Sequence, residues 1–132
     1  MPRASLPAAG LRQAIVVDDS RAMRAMLRHV LEHEGFQVSE AADGSQALLQ
    51  LAKGEVPILA LIDWNMPGLD GIALIRALRS SSRFARMTIV MVTSEADPTH
   101  VEQALEAGAD EYIMKPLSAE VLREKLTMLE QP

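Results

Sequence analysis

The apolar residues of this chain recur with two different periods, and the two periods alternate five times along its length. Short runs of consecutive apolar residues, rich in β-branched side chains, predict strands that are buried on both faces. Strands are predicted at residues 14–17, 57–62, 87–92 and 110–114, and a weaker one at 36–40. A stretch whose apolar residues recur every three or four positions follows each run and predicts a helix. This alternation predicts a five-stranded parallel sheet with helices on both faces.

Polar residues that favour helix N-termini precede four of the five predicted helices. Asp43 is followed three positions later by Gln46, which is the spacing of a capping box. Asp97 is followed by Pro98, whose fixed φ suits the first position of a helix. The other two predicted caps are Asp70 and Ser118. The caps lie close behind the predicted strands, so the connecting loops are expected to be short.

The composition is that of a single globular domain. The chain has 132 residues, of which 48% are hydrophobic and 23% charged, so it can bury a core without disulfides or structural metal. The absence of cysteine excludes disulfides, thiolate catalysis and cysteine-bound zinc or iron–sulfur clusters. A net charge of -5 argues against binding to a nucleic-acid backbone, and no apolar run is long enough to span a bilayer. We therefore expect no nucleic-acid partner and no membrane partner.

The first ten residues differ in character from the rest of the chain. They carry one Arg and scattered Pro and Ala without a continuous apolar segment, so a secretory signal is not expected. We expect residues 1–10 to be a flexible leader and residues 11–132 to form the domain. The expected location is the cytoplasm.

Polar residues stand where the strong predicted strands end. They are Asp18 and Asp19 after the first strand, Asp63 after the third, Thr93 after the fourth and Lys115 after the fifth. Ligands of such sheets bind beyond the carboxyl ends of the strands, so these side chains are expected to meet at one rim. Three neighbouring carboxylates would raise one another's pKa unless a cation lay among them. Oxygen ligands without His or Cys favour Mg²⁺ as that cation.

These side chains are suited to carrying a phosphoryl group. A carboxylate can act as a nucleophile and hold phosphate as an acyl phosphate. The transfer needs positive charge and hydrogen-bond donors around the phosphoryl oxygens, which Mg²⁺, the Lys115 ammonium and the Thr93 hydroxyl would supply. Asp63 is the best candidate nucleophile because it stands alone at the end of a central strand.

Four segments of the sequence resemble the receiver domains of two-component response regulators. They are residues 17–20 (VDDS), 62–71 (IDWNMPGLDG), 92–94 (VTS) and 107–116 (AGADEYIMKP). The likeness covers residues 12–129, and the segments at 18–24 and 63–67 are most similar to single-domain chemotaxis regulators. The resemblance implies a flavodoxin-like (βα)5 three-layer sandwich, with a parallel sheet of strand order 2-1-3-4-5.

The resemblance also implies a role for each residue at this rim. Asp63 would be the phosphoacceptor, and Lys115 would pair first with Asp63 and later with the phosphate. Mg²⁺ would be bound directly by Asp19, by Asp63 and by the backbone carbonyl of Asn65. Asp18 would act mainly through metal-bound water.

A conformational switch is implied by the same resemblance. Thr93 would move to hydrogen-bond a phosphoryl oxygen, and Tyr112 would follow it from an outward to an inward rotamer. The peptide bond between Lys115 and Pro116 is expected to be cis. Phosphorylation at the rim would in this way change the surface that a partner meets.

A sensor histidine kinase or a phosphotransfer protein is the expected phosphodonor. The domain would then catalyse only its own phosphotransfer and dephosphorylation, and would not be an enzyme in the usual sense. The fourth helix, fifth strand and fifth helix are expected to form the face that binds a downstream protein. The first helix is the expected docking site for the donor, although a solvated face is the simpler interpretation of Arg21, Arg24 and Arg28 along its side.

Three other functions remain open on these residues. An aspartate-based phosphatase also forms an aspartyl phosphate, but typically has a second Asp where this chain has Asn65. A flavin carrier would need aromatic walls, yet only 3% of the residues are aromatic, and Asp18 and Asp19 would repel its phosphate. The chain could also be a receiver domain trimmed from a larger response regulator with an output domain.

The three histidines are interpreted as helix-surface residues away from the rim, including His29 and His33, whose spacing could bind a metal.

Overall fold

The computed structural model describes residues 12–94 and 98–130. Its strands are β1 (Arg12–Val17), β2 (Phe36–Ala41), β3 (Leu59–Asp63), β4 (Thr88–Thr93) and β5 (Glu111–Met114). Its helices are α1 (Arg21–His33), α2 (Gly44–Leu51), α3 (Gly71–Arg79), α4 (Pro98–Ala107) and α5 (Ala119–Glu130). The predicted leader at 1–10 and the predicted cap Asp97 lie outside the described residues.

The five strands form one parallel sheet in the order β2-β1-β3-β4-β5. Helices α2, α3 and α4 cover one face of the sheet, and α1 and α5 cover the other. Successive side chains of a strand point to opposite faces, so Ile15 packs into the first layer and Val16 into the second. The layers are those that the alternation of strands and helices predicted, and the strand order is the one that the resemblance implied.

Four side chains cap α-helices among the described residues. Asp70 accepts from the amide of Ala73 at 2.9 Å, and Ser118 accepts from Val121 at 3.2 Å, as predicted. Asp43 accepts from the amide of Gln46 at 2.8 Å. The Gln46 side chain accepts from Ala42 rather than from Asp43, so the predicted capping box is shifted by one residue on that side. The fourth cap, Ser20, accepts from Met23 at 3.2 Å and was not predicted.

Two local features differ from the sequence prediction. Strand β3 begins at Leu59 rather than at residue 57, because Pro57 has no amide hydrogen to donate to a strand ladder. A short 3₁₀ helix, Ser82–Phe84, follows α3 and buries the Phe84 ring, although no periodicity marks so short an element.

One arginine joins α3, the loop before β5 and the start of β4, at the end of the sheet where the strands begin. Arg79 donates to the carbonyls of Gly108 and Phe84, at 2.9 and 2.8 Å. Its guanidinium also binds the Asp110 carboxylate at 2.8 Å, and Asp110 accepts from the amide of Ile89. Both charged side chains are nearly buried, with 10% of Arg79 and 7% of Asp110 exposed.

None of the described helices combines the length and the apolar character that crossing a bilayer requires.

Candidate functional site

Three carboxylates meet at the carboxyl edge of the sheet. Asp18 follows β1, Asp63 is the last residue of β3, and Asp19 follows Asp18 in the loop to α1. One oxygen of each carboxylate lies within 4.8 Å of one oxygen of the other two. Asp18 and Asp63 are buried, with 1% and 3% exposed, whereas Asp19 is exposed. The sequence prediction that these residues share one rim is therefore matched by their positions.

An ammonium group faces two of these carboxylates. Lys115, which follows β5, donates to Asp63 Oδ1 at 2.8 Å, and its nitrogen lies 3.5 Å from Asp18 Oδ2. The Lys115–Pro116 peptide bond is cis. The positive charge is thus held directly over the buried end of the acidic pocket.

The Asp63 carboxyl is held in an environment that disfavours its charge. Burial raises the pKa of Asp63, the Lys115 hydrogen bond lowers it, the Asp18 charge raises it again, and the net direction is upward. Burial lowers the pKa of Lys115, but its hydrogen bond to Asp63 and the charge of Asp18 reverse this, so the net direction is also upward. Both pKa values can rise because Lys115 faces two carboxylates. The negative charge of Asp18 favours the ammonium of Lys115 and disfavours a second negative charge on Asp63. The pocket carries excess negative charge that a further cation would neutralise.

The donor set fits a hard divalent cation. Asp18 Oδ1 accepts from the amide of Ser20 at 2.8 Å, which fixes the carboxylate. Asp18 Oδ2 is buried and makes no hydrogen bond to any described residue. Its ion pair with the Lys115 ammonium is long, at 3.5 Å, and a buried carboxylate oxygen without a close hydrogen bond is costly unless a cation or water also binds it. An oxygen-only set of this kind could hold Mg²⁺.

The loop after Asp63 is anchored on both sides. Trp64 donates its amide to the carbonyl of Val92 at 3.0 Å, and its own carbonyl accepts from Gly71 at 3.0 Å. A β-carbon on Gly71 would lie 2.4 Å from the carbonyl oxygen of Asp63, so only glycine lets α3 start so close to the end of β3. Asn65, two residues after Asp63, is exposed in this loop.

The remaining predicted residues lie on β4 and β5. Thr93 is the last residue of β4 and is buried, with 3% of its surface exposed. Its carbonyl accepts from the amide of Lys115 at 2.7 Å. Tyr112 is half-buried on the edge strand β5. The ammonium of Lys125 on α5 lies 5.5 Å from the centre of the Tyr112 ring and 3.5 Å from Glu111 Oε1. Thr93 therefore lies at the carboxyl end of β4 beside the backbone of Lys115, and Tyr112 lies on the edge strand with Lys125 of α5 over its ring.

Two features near the rim were missed by the sequence reasoning. The Trp64 ring packs on the His100 ring of α4 with 4.9 Å between centroids, so His100 touches the residue next to Asp63. This differs from the expectation that no histidine lies near the rim. Arg24 and Arg28, expected on a solvated or docking face, both bind Glu40 of β2. Neither contact carries a local signal, because the partners are far apart in sequence.

The family follows from a direct match. A model of the response regulator receiver domain matches residues 14–127 of this chain. The chain therefore belongs to the response regulator receiver domain family.

Individual relatives agree with this assignment. The chemotaxis protein CheY of Pseudomonas aeruginosa is 41% identical over 113 residues, covering 85% of this chain and 90% of that protein. The chemotaxis protein CheY1 of Helicobacter pylori is 39% identical over 116 residues, covering 87% of this chain and 94% of that protein. A solved structure of the chemotaxis response regulator CheY4 of Vibrio cholerae has a TM-score of 0.85 and 31% identity, covering 91% of this chain and 99% of that one.

These relatives confirm the family and the fold that the motifs predicted. The chain is a CheY-like receiver domain of two-component signalling, the class of phosphoacceptor switches. Proteins of this class interact with histidine kinases and with downstream targets. The phosphatase alternative is not favoured.

Proposed function

We propose that this domain accepts a phosphoryl group on Asp63, with Mg²⁺ in the acidic pocket, and that the modified domain changes its affinity for a downstream protein. The observation that carries the proposal is the placement of Lys115 against Asp63, beside two further carboxylates. A carboxylate nucleophile, an ammonium and an oxygen-donor cation site are the parts that phosphoryl transfer to aspartate requires.

Asp63 acts as the nucleophile. One carboxylate oxygen forms a bond to phosphorus as the bond between phosphorus and the donor's leaving atom breaks, and that atom leaves with its electron pair. Lys115 holds Oδ1 at 2.8 Å, which fixes the orientation of the carboxylate and keeps a positive charge beside the phosphoryl oxygens. Hydrolysis of the acyl phosphate later returns the free carboxylate, so the domain catalyses only reactions of its own side chain.

Asp18, Asp19, Asp63 and the Asn65 carbonyl hold the metal in this proposal. Asp18 Oδ2 lies 3.5 Å from the Lys115 nitrogen, so Asp18 would face both the ammonium and the bound cation. When bound, Mg²⁺ supplies positive charge to the carboxylates and to the phosphoryl oxygens. The buried Asp18 Oδ2, which accepts no hydrogen bond from a described residue, and the exposed carboxylate of Asp19 support this assignment.

The signal passes through Thr93 and Tyr112. Phosphorylation adds about -1.5 to -2 charge beside the end of β4, and Thr93 turns to donate its hydroxyl to a phosphoryl oxygen. Tyr112 follows by changing rotamer at the edge of the sheet, where it now lies beneath Lys125. The face made of α4, β5 and α5 then binds a downstream protein, which by analogy with the chemotaxis relatives belongs to a chemotaxis pathway.

A sensor histidine kinase or a phosphotransfer protein supplies the phosphoryl group, and α1 is the docking element for it. Arg21 is exposed in the first turn of α1, near the acidic rim. The guanidinium groups of Arg24 and Arg28 are engaged within the domain, so Arg21 is the α1 arginine best suited to a donor contact.

Intact-mass measurement after incubation with acetyl phosphate and Mg²⁺ tests the proposal. The wild-type protein is expected to gain the mass of one phosphoryl group, and Asp63→Asn is expected to gain none. Asp70→Asn is the matched control, because Asp70 lies in the same loop and Asn retains its role as a helix cap. Equal labelling of Asp63→Asn and the wild type would contradict the proposal, and steady turnover of a phosphate ester would indicate a phosphatase.

The switch has its own test. Tyr112→Ala is expected to be phosphorylated normally while its downstream partner no longer binds more tightly after phosphorylation. If affinity rose as in the wild type, Tyr112 would not belong to the switch.

A further inference from the structure

Arg24 on α1 reaches back to the loop that carries two of the carboxylates. Its Nη1 donates to the backbone carbonyl of Asp18 at 2.6 Å, and its Nε donates to Glu40 Oε1 at 3.1 Å. Only 15% of the Arg24 side chain is exposed. A charge-assisted hydrogen bond this short, from a guanidinium fixed at two points, constrains the position of the carbonyl.

Glu40 is a firm anchor for that guanidinium. Arg28 Nη1 binds the other carboxylate oxygen of Glu40 at 2.6 Å, and the Gln50 side chain donates to the Glu40 carbonyl at 2.8 Å. The hydrogen bond from Arg28 lowers the pKa of Glu40, burial opposes this, and the hydrogen bond from Arg24 lowers it further. The net effect keeps Glu40 ionised, so that the end of β2 presents a fixed negative charge to α1.

The carbonyl that Arg24 binds belongs to Asp18, whose buried Oδ2 accepts no hydrogen bond from a described residue. Asp18 is fixed at its amide by the Ala41 carbonyl at 3.1 Å and at Oδ1 by the Ser20 amide at 2.8 Å. The Arg24 contact fixes the carbonyl on the other side of the same residue. Together these three contacts fix the orientation of Asp18 Oδ2 and the position of the backbone that leads into Asp19.

We propose that Arg24 is a positioning residue for the cation site, which holds the Asp18–Asp19 turn against the mutual repulsion of the three carboxylates. Without Arg24 the turn relaxes away from Asp63, and the oxygens no longer converge. The inference rests on the proposed function, because it concerns the same acidic pocket. It gives the α1 arginine an internal role that a docking patch does not require.

Arg28 provides a matched control. It shares the Glu40 carboxylate with Arg24 and binds Glu32 at 3.2 Å, but it makes no hydrogen bond to the Asp18 loop, and 42% of its side chain is exposed. Arg24→Ala and Arg28→Ala each remove one contact to Glu40, and only Arg24→Ala removes the contact to the Asp18 carbonyl.

The test is a titration of the full chain with MgCl₂, followed by the amide NMR shifts of Asp19 and Ser20. The dissociation constant for Mg²⁺ is expected to rise roughly tenfold in Arg24→Ala, the lower end of the range for residues that support metal ligands. In Arg28→Ala the dissociation constant is expected to stay within about twofold of the wild-type value, because the contacts that this variant loses are partly exposed to solvent. Arg24→Lys, which keeps the charge but has no fork to bind two acceptors, is expected to fall between them and serves if Arg24→Ala fails to fold.

The outcomes separate this inference from the proposed function. Wild-type affinity in both Arg24 variants, or equal losses in the Arg24 and Arg28 variants, would overturn the positioning role and leave the phosphoacceptor proposal intact. Absence of Mg²⁺-dependent shifts at Asp19 and Ser20 in the wild type would overturn both.

Discussion

The ammonium nitrogen of Lys115 lies 2.8 Å from Asp63 Oδ1, although the two residues are 52 positions apart in the sequence. The contact joins the ends of β3 and β5, which are not neighbours in the sheet, across the end of β4. It brings one positive charge to a pocket of three carboxylates. This imbalance determines how the site responds to substitution, pH and metal.

Asp63→Asn is expected to stabilise the domain in metal-free buffer at pH 7. Burial is the largest of the effects that raise the pKa of Asp63, so the ionised carboxylate costs folding free energy at neutral pH. We expect a gain of about 1 kcal/mol in the free energy of unfolding, measured by urea denaturation with EDTA present.

The sign of the pH dependence follows from the raised pKa. The penalty is fully present above the folded-state pKa, and it disappears as the pH falls below the ordinary value of 3.8, where both folded and unfolded states are protonated. The advantage of Asp63→Asn should therefore shrink as the pH is lowered from 7 towards 4. A variant less stable than wild type at pH 7 would contradict this account, and Asp70→Asn serves as the control.

Magnesium is expected to stabilise the wild-type domain against heat. A ligand that binds only the folded state adds RT ln(1 + [L]/Kd), which is about 1.4 kcal/mol at ten times Kd. The shift in Tm should be lost in Asp19→Asn, which removes an exposed carboxylate from the cation site without touching the core. NaCl at matched ionic strength is the control, and an equal shift with NaCl would mean that screening, not binding, stabilises the fold.

The sequence was sufficient for the fold and for most of the site because both depend on short-range patterns. Periodicity locates the strands and helices, and the end of each parallel strand must lie at the same edge. Asp18, Asp63, Thr93 and Lys115 could therefore be brought together before any distance was known. The cap at Asp70 was equally accessible, because its partner is three residues away.

Contacts between distant charged or aromatic side chains were not accessible in this way. Arg79 and Asp110 are 31 positions apart, and Arg24 and Glu40 are 16 apart. A charged residue on an amphipathic helix gives the same sequence pattern whether its side chain is hydrated or forms an ion pair with a distant carboxylate. The Trp64–His100 contact was missed for the same reason, since the register of α4 against the β3–α3 loop is set by tertiary packing.

Arg79→Ala is expected to destabilise the domain by about 3 kcal/mol, because it breaks the nearly buried ion pair between Arg79 and Asp110. The loss should appear in urea denaturation. The ion pair lies at the opposite end of the sheet from Asp63. Phosphorylation of Asp63 by acetyl phosphate should therefore remain normal at temperatures where the variant is folded. Arg76→Ala, an exposed position on the same helix, should change the free energy of unfolding by less than about 0.5 kcal/mol. Similar losses from both variants would show that the buried ion pair has no special effect.

Gly71→Ala is expected to impair both stability and phosphorylation. The new β-carbon would lie 2.4 Å from the Asp63 carbonyl oxygen and 3.0 Å from Trp64 Cα, and backbone atoms cannot move aside as a side chain can. Helix α3 and the end of β3 must therefore shift apart, which costs about 2 kcal/mol and displaces the nucleophile. Since small displacements of reacting groups slow reactions strongly, we expect Asp63 phosphorylation to slow by about tenfold or more.

Gly68→Ala separates this steric effect from the general sensitivity of the loop. Gly68 has a φ of 75° and no atom within 4 Å of the position its β-carbon would occupy, so alanine there adds backbone strain without a clash. We expect it to cost about 1 kcal/mol of stability and to leave the phosphorylation rate of the folded protein near that of wild type. Rates are compared by intact mass after timed exposure to acetyl phosphate and Mg²⁺. Wild-type rates in Gly71→Ala, or an equal slowing in both variants, would mean that the close approach of α3 to β3 does not position Asp63.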